Sequence, residues 1–144
     1  MEYKIEKVKE KPTKEPQNFC VYEYNNEKYI FCPIRNKLYK AKPEEIVRQW
    51  WIYRLRDAYG YEFSQIDVEV KVIVGSTEAK KRADIVVYTD AKKKVPRIFI
   101  EVKKPNRKDG IEQLKVYQNA TGCRLGLWSN GTPPHVYLLR TEPT

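Results

Sequence analysis

The stretch KRADIVVYTDAKKKVPRIFIEVKKP, residues 81–105, decides the fold. It holds two apolar runs of strand length, DIVVY at 84–88 and IFIEV at 98–102, parted by a turn that contains Ala91-Lys92-Lys93-Lys94. An antiparallel hairpin with its loop at 91–94 sets Asp84 directly across from Glu101, with Cβ atoms roughly 4.5–5.5 Å apart. Lys103 lies two residues beyond Glu101, so strand alternation puts it on the same face. Two acids and a lysine are thereby expected to converge at one end of two otherwise apolar strands.

Working outward, IDVEVKV at 66–72 alternates strictly and reads as a half-buried strand. Before it, a helix is predicted from Pro43 to near Gly60. Proline suits the first helical position, Glu44 and Glu45 complement the dipole, and Val47, Trp50, Trp51, Leu55 and Ala58 form an apolar stripe. After the hairpin, KDGIEQLKVYQNAT at 108–121 has helical spacing in Ile111, Leu114 and Tyr117, and Gly122 can stop it. Strands around Leu125–Trp128 and Val136–Leu139 flank the turn SNGTPP. At the other end, CVYEY and KYIFC flank Asn25-Asn26 and read as a small β-hairpin. Residues 1–19 show no hydrophobic period and read as a loose leader, which leaves 20–144 as one domain.

Two carboxylates at the separation of Asp84 and Glu101 repel each other, and a hard divalent cation such as Mg²⁺ makes the arrangement favourable. The backbone carbonyl of Val102, between the two side chains, is a further candidate ligand. A lysine beside such an ion can orient or deprotonate an attacking water and neutralise charge on a phosphate. Spacing alone would be structural in most proteins, because an acid and a lysine two apart commonly solvate a strand edge. The neighbourhood raises the reading: the acids end strongly apolar strands, and Lys103 is followed by Lys104 and Pro105.

Taken together, DIVVY followed by IFIEVKKP resembles the PD-(D/E)XK nuclease motif, and the element order resembles that superfamily's α-β-β-β-α-β core. More specifically, the chain is similar to the N-terminal nuclease domain of the restriction subunit of type I restriction enzymes. That likeness rests on KPEEIVRQ at 42–49, KRADIVVY at 81–88, IEVKKP at 100–105, EQLKVYQ at 112–118 and GLWSNG at 126–131, and spans about residues 20–140. It implies a restriction-endonuclease-like α/β fold with a mixed sheet, preceded by the small hairpin. It implies that Asp84 and Glu101 hold Mg²⁺, with Mn²⁺ as a substitute, and that Lys103 is the catalytic lysine. An acid of the first helix joins the metal site in many members; Glu44, on the face of Val47 and Trp51, is favoured over Glu45. Gln113 and Tyr117 match a QxxxY motif, and their spacing puts both on one helix face, for DNA contact or support of Lys103 and Glu101. The implied activity is Mg²⁺-dependent endonuclease cleavage of DNA. The implied partners are an ATP-driven translocase region and the methyltransferase and specificity subunits. Two departures stand out: Ala83 replaces the motif's proline, and the chain has no GxxxxGK[ST] loop. The alternative is a non-catalytic DNA-binding or assembly module that cuts only inside a larger complex; RNA processing is a third and weaker reading.

The chain is 144 residues long with 41% apolar residues, enough for one folded domain, and its net charge is +9. Residues 80–108 hold eleven bases and three acids, so +8 of that charge surrounds the proposed site. Lys80, Lys81, Arg82, Lys104 and Arg107 are candidate phosphate contacts, which would make binding salt-dependent; lysine runs such as 80–82 and 92–94 also serve as plain solvated loops. No apolar run suits a membrane span or a signal peptide, which points to a cytoplasmic protein. Cys20, Cys32 and Cys123 form no CxxC spacing, and free thiols are expected, although Cys20 and Cys32 could meet on the hairpin. His135, the sole histidine, is expected to be structural or solvated. Trp50 and Trp51 read as core, and Trp128 as either core or a base-stacking platform.

Overall fold

A computed structural model describes residues 4–7 and 20–141. The chain opens with an antiparallel four-stranded sheet of β1 (Lys4–Lys7), β2 (Cys20–Tyr24), β3 (Glu27–Cys32) and β4 (Lys37–Lys40), in sequential order. Asn25 and Asn26 both have positive φ, 51° and 62°, the conformation that a two-residue hairpin loop needs to match strand twist. The expected hairpin is thus two strands of a larger sheet. Within the span read as a leader, Lys4–Lys7 is a strand paired with β2; residues 1–3 and 8–19 lie outside the described residues. Val21 pairs with Ile30, so Cys32 falls one position past the residue opposite Cys20, and Cys32 and Cys123 are free buried thiols.

Helix α1 (Pro43–Asp57) starts at its proline as expected and buries Val47, Trp50, Trp51 and Leu55. Next come β5 (Ile66–Val70), the short hairpin of β6 (Ile73–Val74) and β7 (Thr77–Glu78), then β8 (Ala83–Tyr88) and β9 (Pro96–Val102). Helix α2 (Ile111–Thr121), β10 (Leu125–Ser129) and β11 (Val136–Leu139) follow. The second sheet runs β11-β10-β9-β8-β5; β9 and β10 are parallel, and their crossover is α2. Over the described residues the chain is therefore α/β with a mixed sheet and two α-helices.

The strand expected over 66–72 stops at Val70. Glu69 adopts φ 55°, and the ladder pairs Val68 with Ile85 and Val70 with Ala83 while skipping Glu69 and Asp84. This kink turns Glu69 towards Arg35, 4.0 Å away. Alternation along the central strands divides the core in two. Ile85, Val87, Ile98, Ile100 and Val102 pack with the tryptophans of α1, whereas Val86, Tyr88 and Phe99 pack with Leu114 and Tyr117 of α2. Gly126 gives α2 its close approach to the sheet: a Cβ there would lie 2.7 Å from Cδ of Gln118 and 3.0 Å from Cγ of Leu114.

Candidate active site

Strands β8 and β9 pair Ile85 with Ile100, Val86 with Phe99 and Val87 with Ile98, and just beyond the end of that ladder the Asp84 and Glu101 carboxyls lie close enough to interact. The link at 89–95 closes through Thr89 N–H donating to the Val95 carbonyl, with Lys93 at φ 57°. Asp84 is held at both oxygens: the Val102 N–H donates to Oδ2 at 2.9 Å, and Arg48 Nη2 donates to Oδ1 at 3.0 Å. Glu101 is only 3% exposed, and its Oε1 is buried with no hydrogen-bond partner. Lys103 Nζ stands 3.9 Å from Glu101 and 4.0 Å from Asp109.

Burial, then the facing Asp84 carboxylate, push the Glu101 carboxyl up to about 9; Lys103 opposes the shift and Glu44 adds to it. The folded chain therefore keeps this proton over a pH range in which the unfolded chain, with its ordinary value of 4.5, has released it. Stability from this group is full below the unfolded value and declines as pH rises towards about 9. Urea denaturation in EDTA at several pH values should show that decline in the wild type. Glu101→Gln should flatten it, and an equal decline in the variant would refute this origin.

The pair is embedded in a buried ionic network. Arg48 reaches Glu45 at 2.6 Å as well as Asp84, and Glu45 also accepts from Arg35 at 2.6 Å and Gln49 at 2.9 Å. Against the cost of burial, the Glu45 and Asp84 carboxylates hold Arg48 above the ordinary guanidinium value. Glu45 is thus engaged in structure, whereas Glu44 lies near enough to repel Glu101.

Tyr117 is fully buried, which corrects its reading as a DNA contact: a side chain with no exposed surface cannot touch a duplex. Its hydroxyl donates to the Lys81 carbonyl at 3.0 Å, its ring stacks on Phe99, and burial followed by Glu101 pushes it up to about 12. Gln113, half-buried one turn earlier, lies beside it and opposes that shift. Lys80, Lys81, Arg82, Lys104 and Arg107 are all exposed. Residues 92–94 lie at the far end of the hairpin from Asp84, where Lys93 pairs with Asp67 at 2.8 Å. His135 packs on Trp50 and Trp51 and bonds Ser129 Oγ at 2.8 Å, a structural role. Trp128 is 5% exposed and belongs to the core.

Sequence reasoning missed Arg48, Asp109 and Gly110. Asp109 accepts from Arg107 Nε at 2.7 Å, which holds it well below the usual carboxylate range. Gly110, at φ 110°, caps α2 and passes so close to the site that a Cβ would lie 2.8 Å from Lys103 Cε. Only its position between a basic run and a helix hinted at this.

The residues fit Mg²⁺. The donors are oxygens, Glu101 Oε1 is orphaned and buried, and Mg²⁺ commonly takes one or two carboxylates plus waters. Among the described residues no three His, Cys, Asp or Glu side chains gather into a cage. Asp84 and Glu101 are the two carboxyls that could hold such an ion, and Glu44 lies near enough to raise the Glu101 value. Among the described residues no helix is long and apolar enough to cross a membrane.

A family model described as type I restriction enzyme R protein N terminus matches residues 43–144, from the first residue of α1 onward. No curated protein and no solved structure matches the chain.

Proposed function

Because the chain belongs to the family of type I restriction enzyme R protein N termini, we propose that it is a Mg²⁺-dependent DNA endonuclease module of the PD-(D/E)XK type. The observation that carries this reading is the pairing of half-buried Asp84 with buried Glu101, whose Oε1 has no hydrogen-bond partner, and the Lys103 ammonium 3.9 Å away. Asp84, Glu101, the Val102 carbonyl and Glu44 would hold the ion. When bound, Mg²⁺ supplies Lewis-acid polarisation and positive charge at the scissile phosphate.

The chain's own groups do the rest. Arg48 and the Val102 N–H fix the Asp84 carboxylate at both oxygens. Lys103 Nζ would orient the attacking water and place positive charge beside the phosphate oxygens. Tyr117 pins the Lys81 carbonyl, so the exposed side chains of 80–82 reach outward from a fixed backbone beside Asp84. Lys104 and Arg107 flank the opposite side as phosphate contacts. In the intact system the partners would be an ATP-driven translocase region and the methyltransferase and specificity subunits, in the cytoplasm.

Incubation with supercoiled and linear DNA in Mg²⁺ or Mn²⁺ tests this. Lys103→Ala and Glu101→Gln should lower cleavage by about 10²–10⁴-fold. Calorimetry should show metal binding that is lost in Asp84→Asn. Cleavage equal to wild type in both cleavage variants would refute the reading. Salt-sensitive DNA binding without cleavage by the wild type would favour the alternative, a module that cuts only within the larger complex.

A further inference from the structure

Resting on that reading, we propose that Trp128 and Asn130 are positioning residues which lock the basic loop 103–110 into a single shape for gripping the DNA backbone. The loop carries Lys103, Lys104, Arg107 and Lys108 against one acid, Asp109. Asp109 pairs with Arg107 and lies 4.0 Å from Lys103, but Lys104 and Lys108 add further positive charge, and the loop has no helix or strand of its own.

Three consecutive residues at the end of β10 restrain it. Lys103 N–H donates to the Ser129 carbonyl at 2.9 Å, Trp128 Nε1 donates to the Asp109 carbonyl at 2.8 Å, and Asn130 Nδ2 donates to the Arg107 carbonyl at 2.9 Å. These anchors take backbone groups and leave the cationic side chains of Lys104 and Lys108 exposed. The anchors are themselves fixed. Trp128 is 5% exposed and Asn130 8%, and the amide oxygen of Asn130 accepts the Thr132 N–H at 3.0 Å. A loop shaped in advance loses less conformational freedom when it meets phosphates, so the anchoring acts on substrate affinity as well as on folding. This gives the GLWSNG segment a role that its distance from Glu101 in the sequence conceals.

Trp128→Phe keeps an aromatic ring and removes only the N–H donor; Asn130→Ala removes the second anchor. Leu127→Val, on the opposite face of β10, serves as a control for general destabilisation. Hydrogen exchange of peptides covering 103–110 reads the anchoring, and fluorescence anisotropy with a DNA duplex over a salt series reads the grip. Each anchor variant should exchange about tenfold faster in this loop and bind DNA about 3–10-fold more weakly, with neither change in Leu127→Val. Unchanged loop exchange would overturn the proposal, as would faster exchange with wild-type DNA affinity. A wild-type chain that bound no DNA would instead overturn the reading of the site and the proposal with it, a result distinct from either.

Discussion

Replacing Arg48 by methionine is expected to lower folding stability by about 3 kcal/mol, because it leaves buried acids without their shared cation. Arg48 and Glu45 are each 7% exposed, and the guanidinium spans Glu45 and Asp84 at 2.6 and 3.0 Å. Loss of the cation strips Oδ1 of Asp84 of its donor, while Glu45 keeps Arg35 and Gln49. Arg48→Lys should recover only part of the loss, since an ammonium is a point charge and cannot fork across two carboxylates as a planar guanidinium does. Urea denaturation of Arg48→Met, Glu45→Gln and the double variant measures the network directly. A coupling of about 1–3 kcal/mol is expected between the two positions. Stability of Arg48→Met within about 0.5 kcal/mol of wild type would show that the network contributes no more than an ordinary surface site.

On the proposed nuclease reading, Gly110→Ala is expected to reduce cleavage by about 100-fold, through displacement of Lys103. The new methyl would stand 2.8 Å from Lys103 Cε, 3.3 Å from Glu101 Cγ and 3.4 Å from Trp128 Nε1, so it presses on the lysine and on the acid at once. The backbone at φ 110° is strained for any residue with a side chain. A stability loss of about 1–3 kcal/mol should accompany the catalytic one. Single-turnover cleavage with saturating DNA separates the two effects, since the folded fraction is set by denaturation and DNA affinity by a binding curve. Wild-type single-turnover cleavage in a folded variant would mean that Lys103 tolerates displacement and is not the group on which the rate depends.

Much of the site is legible in residues 81–105 because the relevant geometry is local. The apolar pattern of the two strands gives the register at the Asp84 end, and strand alternation fixes which residues share a face, although the loop is 89–95 and not the expected 91–94. The ladder shifts at Val87 and Tyr88, but this lies towards the turn and leaves the far end in register. The first helix announced itself through Pro43 and its tryptophans for the same reason. Where a pattern broke, the reading failed: Glu69 leaves the strand conformation, so IDVEVKV is not one continuous strand. Lys4–Lys7 and Lys37–Lys40 are short, lysine-flanked strands with too little alternation to register as such. Tyr117 was placed on the correct helix, but its complete burial depends on how closely α2 approaches the sheet at Gly126.

By itself, then, the sequence determined the α/β character of the chain, the hairpin, and the meeting of Asp84 with Glu101 beside Lys103. Each of these follows from periodicity or from pairing over a short loop. Tertiary structure alone decided that Arg48, 36 residues from Asp84, clamps it, that Gly110 passes against Lys103, and that β10 grips the loop beside the site. The Arg48 and β10 contacts join elements brought together by α1 packing across the sheet and by the parallel crossover from β9 through α2 to β10, while the Gly110 contact depends on how the intervening loop folds back on itself. A side chain's partner across such a gap is set by where whole elements dock, and no repeat or spacing in the chain records that.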